Sequence, residues 1–124
     1  MYLPNILKVL GDKTRLRILN LLTAQELCVC LIEGTLGITQ PNASKHLRRL
    51  HHSGIICCKK ISHWCFYRIN TDFEDQYDEL MTLLIKHWQK NKPYVEDIKK
   101  LEYLLETNDC CKKLLRNHNI KEKY

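Results

Sequence analysis

Apolar residues recur at helical spacing over most of the chain, and two strand-like apolar runs lie in its middle. This pattern predicts four short helices, then an antiparallel hairpin, then two longer amphipathic helices. The predicted helices span residues 3–10, 13–22, 27–33, 40–52, 73–90 and 94–107, and the predicted strands span 55–61 and 65–70. The sequence therefore predicts a mainly α-helical fold with a small β-hairpin.

Two of the predicted helices begin after good capping residues. Asp12 and Thr39 precede the second and fourth helices, and their side-chain oxygens can accept an otherwise free backbone N–H. Leucines at helical spacing form the buried stripe of the second helix. That stripe leaves Arg15 and Arg17 on the side that is predicted to face solvent.

The third and fourth predicted helices, joined by a turn over residues 34–38, have the order of a helix-turn-helix. On a helical wheel Ala43, Leu47 and Leu50 face the core, so the opposite face is polar and basic. Such a face suits the major groove, where polar and basic side chains read base edges and hold phosphates. Basic residues on the hairpin would add backbone contacts, as a wing does. The residues predicted to contact DNA are Gln40, Asn42, Ser44, Lys45, Arg48 and Arg49 on the helix and Lys59, Lys60 and His63 on the hairpin.

Charge is distributed unevenly along the 124 residues. The formal net charge is +6, and residues 1–70 hold ten Lys or Arg against three Asp or Glu. Residues 71–124 hold ten basic and eleven acidic residues. This asymmetry indicates a part that binds a polyanion, joined to a near-neutral part that associates with itself.

The sequence lacks three features that would indicate a membrane protein, a secreted protein or an enzyme. It has no apolar run of about 18 residues, the length that spans a bilayer. Its N-terminus lacks the basic and long apolar segments of a signal peptide. We therefore expect a cytoplasmic protein without membrane contact. With no Cys-x-x-Cys and no recognisable Cys/His/Asn set, an enzyme is not expected. A winged helix that binds only proteins is the other alternative, against which the basic helix face argues.

Six of the seven cysteines occur as close pairs: Cys28/Cys30, Cys57/Cys58 and Cys110/Cys111. In a reducing cytosol, an odd count favours free thiols over a disulfide framework. Thiolates bind thiophilic ions, and cysteines near a helix N-terminus ionise readily. Adjacent residues of a strand point to opposite sides, so one of Cys57 and Cys58 is expected in the core.

Cys28-Val29-Cys30 falls on the third predicted helix. Residues i and i+2 of a regular helix point about 200° apart. One ion could therefore bind both sulfurs only if that helical turn opened. Opening it would disturb the helix that follows, which predicts a route by which a metal ion releases DNA.

Taken together, these segments resemble the ArsR/SmtB family of metalloregulatory repressors. The matching stretches are residues 10–19, 26–30, 36–47, 54–56 and 64–67. The resemblance implies a homodimeric winged helix-turn-helix on a palindromic operator, released when an inducer binds. It also implies that Gln40, Ser44 and Lys45 contact bases. A basic residue and a glycine turn are usual in the family's wing, where this chain has Ile61-Ser62-His63.

The Cys-Val-Cys segment resembles the ligand box of sensors for arsenite, antimonite, cadmium or lead. In arsenic repressors of this type a third cysteine often follows three residues on, where this chain has Glu33. Cys110 or Cys111 is expected to supply the third sulfur, or to form a second site. The leading hypothesis is a repressor that responds to As(III) or Sb(III). The alternatives are a Cd(II), Pb(II) or Zn(II) sensor and a thiol redox switch.

A stripe on the predicted helix over residues 73–90 could belong to the core of one chain or to a dimer interface. Joined with the N-terminal helix, it is expected to form the interface. Its residues are Tyr77, Leu80, Met81, Leu84 and Trp88.

The predicted domains are a DNA-binding and dimerisation domain over residues 1–92 and, after it, a helical extension with a cysteine pair over 93–124.

Overall fold

The structure, a computed structural model, describes residues 1–107. Helices predominate, and one small antiparallel sheet lies among them, as the sequence predicts. Cys110 and Cys111 lie outside the described residues. The elements are α1 (Leu3–Leu10), α2 (Lys13–Ala24), β1 (Leu27–Cys28), α3 (Val29–Leu36), α4 (Gln40–His52), β2 (Ile56–Ile61), β3 (Trp64–Ile69), α5 (Thr71–Gln76), α6 (Asp78–Lys90) and α7 (Tyr94–Thr107).

The sheet has three strands rather than the two of the predicted hairpin. Their order is β1-β3-β2, and both pairings are antiparallel. Leu27 pairs with Tyr67 and Cys28 with Phe66, so the residues predicted to begin the third helix are strand instead. α3 therefore starts at Val29 and runs on through Gly34 to Leu36.

The single helix predicted over residues 73–90 is two helices. Asn70 caps the first, α5, by accepting the Asp72 N–H at 3.1 Å. Tyr77 then leaves helical geometry, with φ −117° and ψ 41°. Its ring packs on Phe73, with ring centroids 5.4 Å apart, and its hydroxyl donates to the Met1 carbonyl at 3.3 Å. These contacts hold the chain at the break where α6 begins.

The core lies between α2, α3, α4 and the sheet, because each element turns its largest apolar side chains towards the others. Burying a large apolar side chain stabilises the fold by about 1.5–3 kcal/mol. The largest fully buried side chains include Ile18, Leu19, Leu21, Leu31, Ile32, Leu47, Leu50, Phe66 and Phe73. Within residues 1–107, none of the helices is both long and apolar enough to cross a lipid bilayer.

The stripe expected at the dimer interface is only partly available for it. Met81 and Trp88 are buried within the protomer, so their assignment to an interface is wrong. Leu80 and Leu84 are half-buried against the same core. The large apolar side chains left exposed on α1 and α6 include Leu3, Leu7 and Leu83.

Helix α7 packs against α2 and α3, and a partly buried ion pair joins it to α2. The Arg17 Nε and Nη2 atoms each donate to an Asp97 carboxylate oxygen at 2.8 Å. Hydrogen bonding to Asp97 raises the pKa of Arg17. The side-chain amide of Asn20 also donates to the Tyr94 carbonyl at 3.1 Å. The expectation that Arg17 lies in solvent is therefore wrong.

The predicted boundary between a domain over residues 1–92 and an extension over 93–124 stays a prediction.

We expect Asp97→Ala to lower the free energy of unfolding by about 1–3 kcal/mol, because it leaves the Arg17 guanidinium without its partner. The effect should fall below that of a fully buried pair, since the Arg17 side chain is 23% exposed. Urea denaturation followed by circular dichroism measures it. Glu96→Ala, an exposed acidic neighbour, is the matched control and should change stability by less than about 0.5 kcal/mol. Equal values for the two variants would show that the pair adds nothing.

Candidate nucleic-acid interface and cysteine site

The helix-turn-helix is formed by α3, a short link over residues 37–39, and α4. Gly37 adopts φ +67° and its N–H donates to the Glu33 carbonyl at 2.8 Å, which ends α3 in the left-handed conformation that glycine favours. Thr39 caps α4 as predicted, since its hydroxyl accepts the Asn42 N–H at 3.3 Å. The predicted turn began too early, because α3 continues past Gly34.

The two faces of α4 match the helical wheel. Ala43, Leu47 and Leu50 are fully buried. On the other side Gln40, Lys45, Arg48 and Arg49 are exposed, and Asn42 and Ser44 are half-buried. The Gln40 amide donates to the Ser44 hydroxyl at 2.8 Å, so two residues predicted to read bases already orient each other.

A buried histidine on α4 was missed by the wheel. His46 is 6% exposed, and its Nδ1 lies 3.2 Å from Arg15 Nη1 and 3.9 Å from Asp12 Oδ1. An arginine N–H can only donate, so Nδ1 accepts and the imidazole is neutral, with its proton on Nε2. Arg15 also donates from Nε to the Val9 carbonyl at 2.6 Å, so Arg15 is not the solvent-facing residue that was predicted.

Electrostatics agree with this arrangement. Burial lowers the pKa of His46, and the nearby Arg15 charge lowers it further, against the opposing charge of Asp12. Burial alone would raise the pKa of the Asp12 carboxyl. The hydrogen bond from the Arg15 N–H and the charge of Arg15 instead hold the pKa of Asp12 below its usual value. Helix α4 is thus tied to the start of α2 by a neutral histidine.

The hairpin of β2 and β3 separates its two lysines. Lys59 lies opposite Phe66 and Lys60 opposite Cys65, and neighbouring residues of a strand face opposite sides. Lys60 shares its face with Cys58, whose Sγ lies 3.8 Å from His51 Nε2 on α4. That face borders a groove of about 260 Å³ between α4 and the hairpin, whose lining includes two of the residues predicted to contact DNA, Ser44 and Arg48.

The remaining hairpin predictions have mixed outcomes. His63 is exposed at the tip, beside Ser62, which has φ +57°. Cys57 is half-buried and Cys58 is exposed, so the expectation that one of them is a core residue is wrong. The buried apolar residues of the two strands are Ile56 and Ile69 on one face and Phe66 on the other.

The Cys28 and Cys30 sulfurs lie together, 2.8 Å apart, at the junction of β1 and α3. Cys28 has extended backbone, with φ −82° and ψ 161°, and forms the N-cap of α3, whereas Cys30 is the second helical residue. The prediction that an intact helix separates them is wrong, because only one of the two is in the helix. The route to DNA release that required the helix to open loses its premise.

This position suits metal binding chemically. Two sulfurs that are each about 2.3 Å from one ion at a tetrahedral angle lie about 3.8 Å apart. The pair, at 2.8 Å, would have to separate by about 1 Å to hold an ion. Both cysteines lie at the N-terminal end of α3, which carries the positive end of the helix dipole. Cys28 is fully buried and Cys30 is half-buried. Access to the pair is therefore through Cys30.

A third ligand is not found in the part of the chain that the structure describes. No group of three His, Cys, Asp or Glu side chains within residues 1–107 could hold an ion. Glu33, at the family's third position, has one buried carboxylate oxygen without a hydrogen-bond partner. A Cβ placed on Gly34 would lie 3.5 Å from Leu104 of α7, so α7 passes close to α3 before the chain continues towards Cys110.

Known proteins share both the sequence pattern and the fold. Residues 12–57 match the family described as bacterial regulatory protein, arsR family. An arsenic resistance transcriptional regulator of Pseudomonas putida is 30% identical over 76% of this chain and 80% of its own length. An arsenical resistance operon repressor of Staphylococcus xylosus is 33% identical over 66% of this chain and 79% of its own.

The chain belongs to the arsR family of bacterial regulatory proteins. Its fold is the winged helix-turn-helix, with β2 and β3 as the wing. The homodimeric winged helix-turn-helix DNA-binding domain of a Mycobacterium bovis protein superposes with a TM-score of 0.60, at 24% identity over 73% of this chain and 84% of that chain. This arsR-family chain is therefore a transcriptional regulator and not an enzyme.

We expect stability to depend on pH through His46. Its pKa is below the ordinary value of 6.5 in the folded chain, so the unfolded chain takes up the proton more readily. The stability that the neutral histidine provides is complete above pH 6.5 and is lost as the pH falls towards the folded-state pKa. Urea midpoints at about pH 7.5 and about pH 5.5 measure the loss.

His46→Gln should reduce that pH dependence, because the glutamine does not titrate. His52→Gln, an exposed change on the same helix, should leave it as in the unmodified chain. If the two variants lose stability in parallel on acidification, His46 is not the group responsible.

Proposed function

We propose that this chain is a metalloid-responsive repressor. It binds operator DNA as a homodimer and dissociates when As(III) or Sb(III) binds the thiolates of Cys28 and Cys30. The observation that carries the proposal is the contact of those two sulfurs where the wing sheet meets the helix-turn-helix. The names of the two relatives, both concerned with arsenic resistance, support the choice of metalloid.

The connection to DNA follows from the elements that Cys28 joins. It pairs with Phe66 of β3, whose strand forms the wing, and it starts α3, which leads into α4 through Gly37. An ion held between Cys28 and Cys30 would act on β1 and α3 together. A change in their relative position would alter how α4 and the wing fit one duplex. In this proposal repression is lost because the two DNA contacts no longer match.

The third sulfur is proposed to come from Cys110 or Cys111. Gly34 approaches Leu104, and Cys30 lies one helical turn before Gly34 on the same helix. Leu104 lies in the last turn of α7, which ends at Thr107, and the three residues from there to Cys110 can span up to about 10 Å when extended. The chain length therefore permits the contact. The competing arrangement is a separate site formed by Cys110 and Cys111.

The DNA contacts proposed for this chain lie on α4 and the hairpin. Gln40, Ser44 and Lys45, with Asn42, would read bases, and Arg48 and Arg49 would hold phosphates. Lys60 and His63 would contact the backbone from the wing. Lys59 lies on the opposite face of β2 and is not part of this proposed surface. The exposed leucines of α1 and α6 are the surface proposed for the homodimer. We place the protein in the cytoplasm, where its thiols stay reduced.

Arsenite binding tests the cysteine assignment. Purified protein is incubated with arsenite under reducing conditions, and bound arsenic is measured by elemental mass spectrometry after gel filtration. Cys28→Ser and Cys30→Ser should each weaken binding by at least about 100-fold, since losing even an outer-shell partner costs about 10–100-fold. Cys57→Ser removes one thiol elsewhere and should bind as the unmodified chain does. Unchanged binding by Cys28→Ser would rule out the site.

The same titration separates the open alternatives. A Cys110→Ser/Cys111→Ser variant that loses affinity supports a shared three-sulfur site, whereas unchanged affinity supports a two-sulfur site. Tighter binding of Cd(II), Pb(II) or Zn(II) than of arsenite would replace the proposed inducer. A thiol redox switch is a second candidate, favoured by the short contact between the sulfurs. Release of DNA by hydrogen peroxide but not by arsenite would support it.

DNA binding tests the wing. Fluorescence anisotropy with a labelled duplex, at several salt concentrations, gives the slope of log affinity against log salt. Lys60→Ala should reduce that slope by about 1, the effect of losing one phosphate contact. Lys59→Ala makes the same charge change on the opposite face of the strand and should leave the slope unaltered. Equal losses for the two would mean that DNA meets both faces of the wing.

A further inference from the structure

A thiol and an imidazole meet in the groove between α4 and the hairpin. Cys58 Sγ on β2 lies 3.8 Å from His51 Nε2 on α4, and both side chains line that groove. Both are exposed, so water and ions reach them. Neither belongs to the Cys28/Cys30 pair or to the residues predicted to contact DNA. The two side chains are therefore a second place at which the chain could hold a metal ion.

The distance between the sulfur and the nitrogen fits one ion placed between them. Zinc lies about 2.3 Å from a cysteine sulfur and about 2.0–2.1 Å from a histidine nitrogen. At a tetrahedral angle these two atoms lie about 3.6 Å apart, which is about 0.2 Å less than the observed 3.8 Å. An ion therefore needs much less movement here than between the Cys28 and Cys30 sulfurs, which are 2.8 Å apart.

In the absence of an ion the same two atoms share a proton. Partial burial raises the pKa of the Cys58 thiol, and the neighbouring Cys65 and Cys57 raise it further, so the thiol is protonated at neutral pH. It donates to Nε2 of an imidazole that carries its own proton on Nδ1. An ion would replace the thiol proton and bind the same nitrogen lone pair.

The mixture of ligand atoms selects the kind of ion. One thiolate and one imidazole suit zinc, whereas two thiolates, as in the Cys28/Cys30 pair, suit softer ions. No third His, Cys, Asp or Glu completes the set among residues 1–107, so water would fill the remaining positions. A water takes up about 30 Å³, and the groove of about 260 Å³ has room for the ion with two of them.

We propose that His51 and Cys58 bind Zn(II) and that the ion joins α4 to the wing. Replacing one proton by a divalent ion adds one positive charge to a groove that Arg48 also lines. These like charges repel each other in the free protein, and a DNA phosphate in the groove would offset both. Zinc and DNA should therefore each strengthen binding of the other. This coupling rests on the proposed DNA-binding function, whereas the ion site itself does not.

Nitrogen NMR of the histidine rings tests the ion site in the full chain. Zinc is added to protein with isotope-labelled histidine in a thiol-free reductant, and the signals absent from His51→Gln identify His51. Those signals should move when zinc is added to the unmodified chain. In Cys58→Ser the same shift should need at least about tenfold more zinc, since even an outer-shell partner is worth about 10–100-fold in affinity. Cys57→Ser, a change on the opposite face of the strand, should respond as the unmodified chain does.

Two results would overturn the ion site. One is a set of His51 signals that zinc does not move. The other is a shift that needs the same amount of zinc in Cys58→Ser as in the unmodified chain, because the sulfur would then play no part. Both side chains are exposed, so both variants should fold, and circular dichroism checks that they do.

Fluorescence anisotropy with a labelled duplex, with and without zinc, tests the coupling. Comparison with His51→Gln isolates this site, because zinc bound at Cys28 and Cys30 acts on both proteins alike. Zinc should raise the DNA affinity of the unmodified chain by at least about fivefold more than that of His51→Gln. His52→Gln, an exposed change on the same helix, should match the unmodified chain.

The possible failures of the coupling and of the proposed function are distinguishable. An equal zinc response in the unmodified chain and in His51→Gln would overturn the coupling alone. A duplex that is bound neither with nor without zinc would contradict the proposed function and the coupling with it. The NMR titration would still decide whether His51 and Cys58 bind the ion.

Discussion

Leu27 pairs with Tyr67 and Cys28 with Phe66, and the rest of the structure depends on this two-residue pairing. It keeps Cys28 in extended backbone, so that α3 can begin only at Val29. It also joins the helix-turn-helix to the strand that continues into the wing. The cysteine pair and the two parts of the proposed DNA-binding surface are therefore held by one short set of backbone hydrogen bonds.

Local signals explain which elements could be predicted. The cap at Thr39, the buried stripe and Pro41, which a first helical turn tolerates, all agree, so α4 has the bounds that the sequence predicts. The start of α3 depends on residues nearly forty positions away, which periodicity within a short window does not register. The break at Tyr77 likewise depends on contacts with Met1 and Phe73. The sequence shows which faces are buried, but not where distant strands pair.

The candidate site shows the same difference between features of one element, which the sequence predicts, and contacts between distant residues, which it does not. The outer face of α4 is read correctly from the wheel, because facing inward or outward is a property of one helix. The pairing of His46 with Arg15 and Asp12 is a tertiary contact. Its only local sign is that residue 46 stands three after Ala43 and four before Leu50, positions that share a helix face. The cysteines were identified by residue type, whereas their contact depends on where β1 ends.

Lys59 and Lys60 lie on opposite faces of β2. An inserted or deleted residue therefore has one effect at the tip of the wing and another within its strands. An extra residue at the tip, beside Ser62 and His63, would lengthen the wing and leave its pairing intact. An extra residue within β2 would turn the following side chains over, unless a bulge absorbed it, and would exchange the lysine that faces α4. Among related chains, length should therefore vary at the tip, where it changes reach. It should be held constant along the strands, where it sets the charge that faces the groove.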